Sequence, residues 1–269
     1  MSLAALVKLL AGKRVVALTG AGVSTESGIP DYRSPEALAR PRKPIQGPEF
    51  VRSEALRRRY WARATAGWER IRDARPGPAH RALASLEERG VLTGIITQNV
   101  ERLHRVAGSQ RVIELHGALA DVVCLECRAL EDRDSLQARI RAANPEWEGS
   151  ARSAPDGDAE LADDLVTSFV VPTCLHCGGA LKPDVVFFGH NVARPVVDAA
   201  FAEVEAAEAL LICGTSLTVY SGYRFLRRAV ERGMAIVIVN RGPVRGEEHA
   251  TLKLEESTGA SLTMLAERL

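Results

Sequence analysis

Five short apolar runs, each bounded by turn residues, constrain the fold of this 269-residue chain more than any other feature. They are rich in β-branched residues and lack strict polar alternation, which is typical of parallel strands buried on both faces. Segments of helical period, including residues 78–90 and 219–233, separate them. The pattern predicts an α/β fold with a doubly wound, Rossmann-like parallel sheet. The runs are VVALTG, GIITQN, VIELHG, ALLICGTSL and AIVIVN.

Four of the five cysteines form two matched pairs in which two residues separate the partners. Such pairs bring four thiolates to the corners of a tetrahedron, the geometry of a structural zinc site. Four thiolates close the coordination sphere, so we predict one structural Zn²⁺ that folds a module and takes no part in catalysis. The competing interpretation is unrelated redox pairs or free thiols. The predicted ligands are Cys124, Cys127, Cys174 and Cys177.

The cysteine segment interrupts the α/β pattern, which predicts an insertion. We assign residues 1–118 and 182–269 to the Rossmann-like domain, with a loop and helical insertion at about residues 30–80. Residues 119–181 are assigned to a small zinc-binding module. Within it, the acidic and turn-rich stretch Ala154–Asp164 is predicted to be a long loop.

Composition argues against several classes of partner. The net charge is +1, with 35 Lys and Arg against 34 Asp and Glu, so no overall field favours nucleic acid or an anionic membrane. The apolar runs are strand-length, far below the roughly 20 residues of a membrane span. The N-terminal segment carries its charge after its apolar part, unlike a signal peptide. We therefore expect a cytoplasmic protein, a monomer, that binds neither nucleic acid nor membrane.

Polar residues follow each predicted strand, at the edge where doubly wound sheets bind ligands. Gly20 and Gly22 permit close backbone approach to a pyrophosphate, and Ser216 and Asn240 suit ribose or phosphate oxygens. However, Thr25 occupies the last position of a G-x-G-x-x-G fingerprint, and the acid expected about twenty residues on is missing. A redox Rossmann enzyme is therefore disfavoured.

Seven motifs occur in order along nearly the whole chain: GAGVSTESGIPDYR, TQNVERLH, ELHG, the paired C-x2-C, LKPDVVFFG, GTSL and VNRG. Together they resemble the sirtuins, NAD-dependent protein lysine deacylases. The stretches STESGIPDYRS, APDGD, VPTC and VYSGYRF are most similar to the class II sirtuins.

The resemblance implies that NAD binds as a consumed co-substrate. The glycines would meet its phosphates, a loop with Asp31, Tyr32 and Arg33 would close over the nicotinamide ribose, and Gln98 with Asn99 would hold that ribose. Most sirtuins have Phe at position 32 and Asp at position 101, and the longer Glu101 is expected to shift a hydrogen bond near the nicotinamide amide. The expected cofactor-binding residues are Gly20, Ala21, Gly22, Thr25, Asp31, Tyr32, Arg33, Gln98, Asn99, Glu101, Gly214, Thr215, Ser216, Asn240, Arg241, Gly242 and Thr258.

His116 and Asn99 are the expected catalytic residues. An unperturbed imidazole titrates near pH 6.5 and can accept a proton at neutral pH. By resemblance, the acyl-lysine carbonyl oxygen attacks the ribose carbon as nicotinamide leaves. His116 then removes a proton from a ribose hydroxyl, and the products are lysine and O-acyl-ADP-ribose.

Two segments are expected to bind the acyl-lysine protein or peptide. Asp184–Gly189 resembles the family's substrate strand, to whose edge an extended peptide adds through main-chain hydrogen bonds; a buried core strand is the competing interpretation. Tyr60 and Arg63 match the Tyr-x-x-Arg pair of sirtuins that read acidic acyl groups, although a solvated basic helix face explains the arginines equally well. The expected substrate residues are Tyr60, Arg63, Val186, Phe187, Phe188 and Gly189.

The sequence thus predicts an NAD-dependent protein lysine deacylase that favours acidic or branched acyl groups. Two alternatives use the same NAD site: a protein mono-ADP-ribosyltransferase, and a catalytically weak NAD-binding sensor or scaffold. His116, Asn99 and Asp31 favour catalysis, whereas Glu101 favours the weak enzyme.

Overall fold

The computed structural model describes residues 3–31, 44–147 and 166–269. Tyr32, Arg33 and the predicted acidic loop Ala154–Asp164 lie outside the described residues. The described chain divides into two compact units. Unit 1 comprises residues 3–31, 75–115 and 192–269, and unit 2 comprises residues 44–74, 116–147 and 166–191. Among these residues no helix is both long and apolar enough to cross a membrane.

Unit 1 contains a six-stranded sheet in the order β3-β2-β1-β7-β8-β9, in which every pairing is parallel. This confirms the predicted α/β fold, and the order reverses on either side of β1. The strands are β1 (Val15–Thr19), β2 (Leu92–Thr97), β3 (Val112–Glu114), β7 (Ala209–Cys213), β8 (Ala235–Val239) and β9 (Leu252–Leu254).

Helices cover both faces of this sheet. Successive strand residues point to opposite faces, and both sets are apolar, so each face needs a covering layer. Val15 and Ala17 pack on one face with α1, α4 and α9, while Val16 and Leu18 pack on the other with α7 and α8. Pro78 begins α4 and Pro195 lies in the first turn of α7, positions where a missing N–H costs no helical hydrogen bond. The helices of unit 1 are α1 (Leu3–Leu10), α4 (Pro78–Glu88), α5 (Leu103–Val106), α7 (Arg194–Ala206), α8 (Tyr220–Glu231) and α9 (Thr258–Ala266).

Among its described residues, unit 2 combines helices with a three-stranded antiparallel sheet in the order β5-β4-β6. Its helices are α2 (Gly47–Arg52), α3 (Glu54–Arg72) and α6 (Arg133–Ala143), and its strands are β4 (Gly117–Cys124), β5 (Leu130–Asp132) and β6 (Leu181–Val185). Ser53 caps α3 by accepting from Leu56 N at 3.1 Å, and Asp132 caps α6 through Asp134 N and Ser135 N.

The helical insertion, residues 44–74, groups with the cysteine module in unit 2. The two units part at residues 115/116 and 191/192. The reason is packing: Trp61 on α3 is fully buried in a core shared with Val122 and Leu136, and its indole N–H donates to the Leu181 carbonyl at 3.0 Å.

The predicted strand Asp184–Gly189 is also shifted. β6 runs from Leu181 to Val185, and beyond it only Phe188 makes a strand-like bridge, parallel to Gln46. The chain then turns, with His190 N donating to the Phe187 carbonyl at 3.0 Å and Gly189 at φ +79°. This left-handed conformation favours glycine and ends the extended segment.

Candidate functional site

The glycines after β1 bring two loops of unit 1 into backbone contact. Gly22 N donates to the Gly214 carbonyl at 2.8 Å. A Cβ on Gly22 would lie 2.8 Å from Gly214 Cα, and one on Gly20 would lie 2.7 Å from Thr215 Cβ. No larger residue fits at either position without a shift. The strand ends of β1 and β7 are therefore held together, with the short 3₁₀ turns Ala21–Val23 and Thr25–Ser27 following β1.

Gln98 and Asn99, which follow β2, reach across to the same loop. Gln98 Nε2 donates to the Thr19 carbonyl at 3.2 Å and to Thr215 Oγ1 at 2.9 Å. Asn99 Nδ2 lies 3.2 Å from the Gly20 carbonyl and 3.0 Å from Ser24 Oγ. The ends of β1, β2 and β7 therefore meet, and hydrogen bonds to the protein fix the two amides.

The Glu101 side chain hydrogen-bonds to Ser24 and Asn99 of the same network. Its side chain is 6% exposed, and it accepts from Ser24 Oγ at 2.7 Å, Asn99 Nδ2 at 3.1 Å and Val100 N at 3.1 Å. Burial raises the pKa of this carboxyl against the opposing effect of the hydrogen bonds from Ser24 and Asn99. The longer side chain is therefore accommodated by an acceptor role inside the loop, where it orients the Asn99 amide.

Two buried histidines lie beneath this network. His80 Nδ1 accepts from Gly77 N at 3.2 Å, which places the ring proton of the neutral form on Nε2, 3.4 Å from Ser24 Oγ and 4.0 Å from Glu101 Oε1. Burial, with a smaller effect from the Arg81 charge, lowers the pKa of His80 to about 4. Burial also lowers the pKa of His104, whose Nε2 lies 2.9 Å from Thr19 Oγ1. Both rings are therefore neutral at physiological pH.

The remaining residues predicted to bind the cofactor follow β7 and β8 or begin α9. Asn240 Nδ2 donates to the carbonyls of Arg241 and Gly242 at 2.8 and 3.1 Å, which shapes a turn in which Gly242 has φ +81°. Ser216 Oγ lies 3.1 Å from Thr218 Oγ1. Thr25 and Thr258 both donate to the Gly22 carbonyl, at 3.1 and 3.2 Å, so Thr258 lies at the glycine loop. Asp31, the last described residue of its segment, is half-buried.

The four paired cysteines of unit 2 form one cluster. Their Sγ atoms all lie within 4.8 Å of one another, with Cys124 and Cys177 at 3.5 Å and Cys127 and Cys174 at 3.7 Å. These separations exclude disulfides, whose sulfurs are about 2.05 Å apart. They fit a tetrahedral zinc, because Zn–S bonds of about 2.3 Å imply S···S distances of about 3.8 Å.

His116 begins the second segment of unit 2, and the start of β4 fixes its backbone. Its carbonyl accepts from Val186 N at 2.9 Å, and the next residue, Gly117, pairs with Val185. Gly117 has φ +75°, and a Cβ there would lie 2.0 Å from the Asp184 carbonyl oxygen. Only glycine allows this approach, so Gly117 locks the half-buried His116 to the end of β6.

In the segment after β6, the carbonyl groups of Phe187 and Phe188 already accept hydrogen bonds from other residues of unit 2. Phe187 O accepts from His190 N, and Phe188 O accepts from Gly47 N at 2.8 Å. Phe187 packs against Phe50 and Tyr60 with ring centroids 5.0 and 5.5 Å apart, whereas Phe188 is 48% exposed. A carbonyl oxygen has a second lone pair, so peptide addition here stays a prediction.

Tyr60 and Arg63 lie one turn apart on α3 in different surroundings. Tyr60 is 4% exposed and packs edge-on against Phe50 and Trp61, while Arg63 is half-buried. The predicted basic helix face is therefore interrupted, because its tyrosine belongs to the core of unit 2. A role of this pair in reading acyl groups stays a prediction.

The sequence predictions omit Ser24 and His80 from the site. Ser24 lies inside the glycine motif, and a hydroxyl among glycines after a strand was the available signal. His80 is 0% exposed and reaches Ser24 across 56 positions, a contact that no local pattern reveals.

The reversal of strand order at β1, the glycine-lined strand ends and the four-sulfur cluster define a class: a doubly wound, Rossmann-like α/β protein with a four-cysteine cluster that fits a zinc ion. A model of the Sir2 family matches residues 20–221. The chain therefore belongs to the Sir2 family, the sirtuins, as its motifs predict.

Known proteins resemble nearly the whole chain. It is 47% identical over 270 residues to NAD-dependent protein deacetylase 1 of Mycobacterium avium (strain 104), covering 98% of this chain and 94% of that protein. It is 49% identical over 257 residues to NAD-dependent protein lipoamidase sirtuin-4, mitochondrial, of Homo sapiens, covering 94% and 82%. A solved structure of Sir2 with a p53 peptide and NAD+ matches with a TM-score of 0.78 at 30% identity, over 100% of this chain and 97% of that one.

Proposed function

We propose that this protein is an NAD-dependent protein lysine deacylase, which transfers the acyl group of acyl-lysine to ADP-ribose and releases nicotinamide. The observation that carries the proposal is the set of linked strand ends in unit 1, where glycine backbones and the oriented Asn99 amide meet, in a chain 47–49% identical to NAD-dependent deacylating enzymes. NAD, when bound, supplies the ADP-ribosyl group that accepts the acyl group.

The residues of this chain supply binding and proton transfer. In unit 1, the loop Gly20–Gly22, whose two glycines let it pack against Gly214 and Thr215, would hold phosphate oxygens, and Asn99 suits a ribose hydroxyl. In unit 2, the His116 imidazole accepts the proton of a ribose hydroxyl, and the segment after β6 binds the peptide. The four cysteines would hold one zinc, which gives unit 2 its fold and takes no part in the reaction.

One experiment separates the deacylase from its two alternatives. The protein is incubated with NAD and a library of acyl-lysine peptides, and small molecules and protein are analysed by mass spectrometry. O-acyl-ADP-ribose with free lysine peptide supports the proposal. A gain of ADP-ribose mass on a protein supports the transferase, and intact NAD supports the sensor or scaffold.

Within this function, we propose a preference for acidic or branched acyl groups over acetyl. It is supported by the i, i+3 spacing of Tyr60 and Arg63 on α3; because Tyr60 packs in the core of unit 2, the half-buried Arg63 is the residue that would read the charge. A charge-assisted hydrogen bond contributes about 1.5–3 kcal/mol, which corresponds to about ten- to a hundredfold in selectivity. Two relatives are named lipoamidases, so lipoyl-lysine is a further acyl-lysine to test.

The test compares acetyl-, succinyl-, glutaryl- and lipoyl-lysine peptides on wild type, Arg63→Met and Arg70→Met. Arg70 lies on the same helix, is exposed, and is the matched control. Loss of the acidic-acyl preference in Arg63→Met alone supports the proposal. Acetyl as the best substrate, with an unchanged ranking in Arg63→Met, refutes it. Action in the cytoplasm, as a monomer, stays a prediction from the sequence.

A further inference from the structure

Helices α3 and α6 of unit 2 meet across a layer of buried polar side chains. Trp61, Thr65 and Trp68 lie on one stripe of α3, and Arg133 and Gln137 lie on the facing stripe of α6. All five are between 0% and 6% exposed. Gln137 Nε2 donates to the Thr65 carbonyl at 3.1 Å, which joins the two stripes directly.

Four polar atoms in this layer have no hydrogen-bond partner among the described residues. They are Nη1 and Nη2 of Arg133, Oγ1 of Thr65 and Oε1 of Gln137. Buried polar atoms in folded proteins are almost always hydrogen-bonded to protein, water or an ion, so four in one layer indicate an occupant. Two of the four atoms belong to a guanidinium and can only donate.

The Asp132 and Asp134 carboxylates lie close enough to raise the pKa of Arg133, but each directs one oxygen to another donor. Asp132 accepts from the backbone N–H groups that begin α6, and Asp134 Oδ1 accepts from Trp68 Nε1 at 2.6 Å. The guanidinium instead lies over the rings of Trp61 and Trp68, with its central carbon 5.3 and 5.0 Å from their centroids. Burial lowers the pKa of Arg133 to about 10, so the group is still charged at neutral pH.

We propose that this layer binds a small monovalent anion of the halide class, held by the Arg133 guanidinium between the two indoles and by the Thr65 hydroxyl. A water would satisfy the donors but would add no negative charge beside the guanidinium, whose burial the nearby Asp132 and Asp134 carboxylates offset only in part. The near-complete burial of the lining residues favours a single-atom ion over a carboxylate or phosphate. The remaining acceptor, Gln137 Oε1, is expected to bind a water beside the anion.

Bromide, which scatters anomalously, tests the site directly in the wild-type protein. Crystals grown with sodium bromide in place of chloride should give an anomalous peak beside Arg133, between Trp61 and Trp68. A density peak there without anomalous signal, or no peak, means water or an empty layer and overturns the proposal. This readout needs neither NAD nor activity, so it is independent of the proposed deacylase function.

Thermal unfolding tests the site in solution. At constant ionic strength, replacing gluconate by chloride at tenfold its dissociation constant should raise the Tm of wild type by about 3–6 °C. Arg133→Met, with two indoles to pack against a thioether, should lose this response. Arg141→Met, on the exposed side of the same helix, should keep it. An equal chloride response in wild type and Arg133→Met refutes the proposal; should Arg133→Met not fold, the bromide result decides.

Discussion

At the scale of single residues, His116 combines a fixed backbone with a half-buried imidazole. The carbonyl is tied to Val186 N, and Gly117 leaves no room for displacement at the start of β4. A residue held in this way suits proton transfer, which needs the accepting atom within about 3 Å of the proton donor. It lies in unit 2, whereas the glycine-lined strand ends lie in unit 1. Because the proposed role of His116 is to accept a proton, its substitution should affect the chemical step far more than cofactor affinity.

His116→Ala should lower kcat by orders of magnitude, because it removes the proposed base that accepts the ribose proton. The shift in Tm that NAD causes should be largely retained, since this shift reports binding to the folded protein. Steady-state kinetics and thermal unfolding with and without NAD measure the two effects. His249→Ala, an exposed histidine of unit 1, is the control and should change neither. Near-normal turnover in His116→Ala would remove this residue from the mechanism.

At the scale of elements, the contact between the loops after β1 and β7 depends on two glycines. Gly214 has φ +59°, and a Cβ there would lie 2.5 Å from Val23 N and 2.7 Å from Gly22 C. Gly233, at the end of α8, has a similar φ of +62° but nothing within 4 Å of its Cβ position. Comparing substitutions at Gly214 and Gly233 therefore distinguishes the cost of a left-handed backbone from the cost of a steric clash.

Gly233→Ala should cost about 1 kcal/mol, the left-handed penalty for a residue with a Cβ. Gly214→Ala should cost a further 1–3 kcal/mol, roughly the cost of overpacking, and should weaken NAD binding because the loops move apart. Urea unfolding and NAD titration of both variants measure this. Equal stability of the two variants would show that the loop contact tolerates a methyl group.

The cysteine cluster makes a second prediction at this scale. Cys124 lies at the end of β4, and its Sγ is one of four in the cluster, so Cys124→Ser should release the metal and unfold the surrounding part of unit 2. Cys213, buried in β7 of unit 1 and outside the cluster, is the control. Metal content by mass spectrometry and thermal unfolding check the result. One bound zinc and unchanged stability in Cys124→Ser would contradict the assignment.

The elements also show what the sequence could predict. The long strands of the parallel sheet are apolar on both faces, so composition and length alone locate β1, β2, β7 and β8. β6 was placed too late because its residues Lys182 and Pro183 look unlike a strand. Yet Lys182 is buried, with its ammonium donating to the Pro183 and Val185 carbonyls and lying 4.8 Å from the Phe187 ring centroid. These contacts, which offset the burial of the Lys182 charge, form only in the folded structure, so no local sequence pattern shows them.

At the scale of the whole molecule, local motifs mark the residues that follow the strands and the paired cysteines, whereas contacts between residues distant in the sequence leave no local pattern. The four cysteines and the strand-end residues were predicted by spacing and by family resemblance. The assignment of α3 to unit 2 depends on Trp61 packing with residues more than sixty positions away. The same holds for His80, which the motif pattern gave no reason to place beside Glu101.

The stability of the molecule should fall in mild acid because unit 1 buries two neutral histidines. In the unfolded chain their pKa is near 6.5, whereas in the folded protein that of His80 is about 4 and that of His104 is also lowered. Between these values the unfolded state binds more protons. The stability from keeping the rings neutral is therefore complete above pH 6.5 and is lost as the pH falls towards about 4. Each ring contributes a slope of up to about 1.4 kcal/mol per pH unit in this window.

Glu101 opposes this trend. Its pKa is raised in the folded protein, so above pH 4.5 the folded state binds more protons than the unfolded state does. Its contribution to stability therefore decreases as the pH rises.

The net loss of stability for wild type between about pH 7 and about pH 5 should be about 2–4 kcal/mol, measured as the free energy of unfolding in urea. His80→Gln keeps a side chain that hydrogen-bonds but cannot titrate, and should reduce the loss by about 1–2 kcal/mol. His249→Gln, whose ring is exposed, should follow wild type. If His80→Gln and wild type lost the same stability over this range, the buried His80 ring would not be neutral in the folded protein. The tautomer that directs its Nε2–H towards Ser24 and Glu101 would then be wrong.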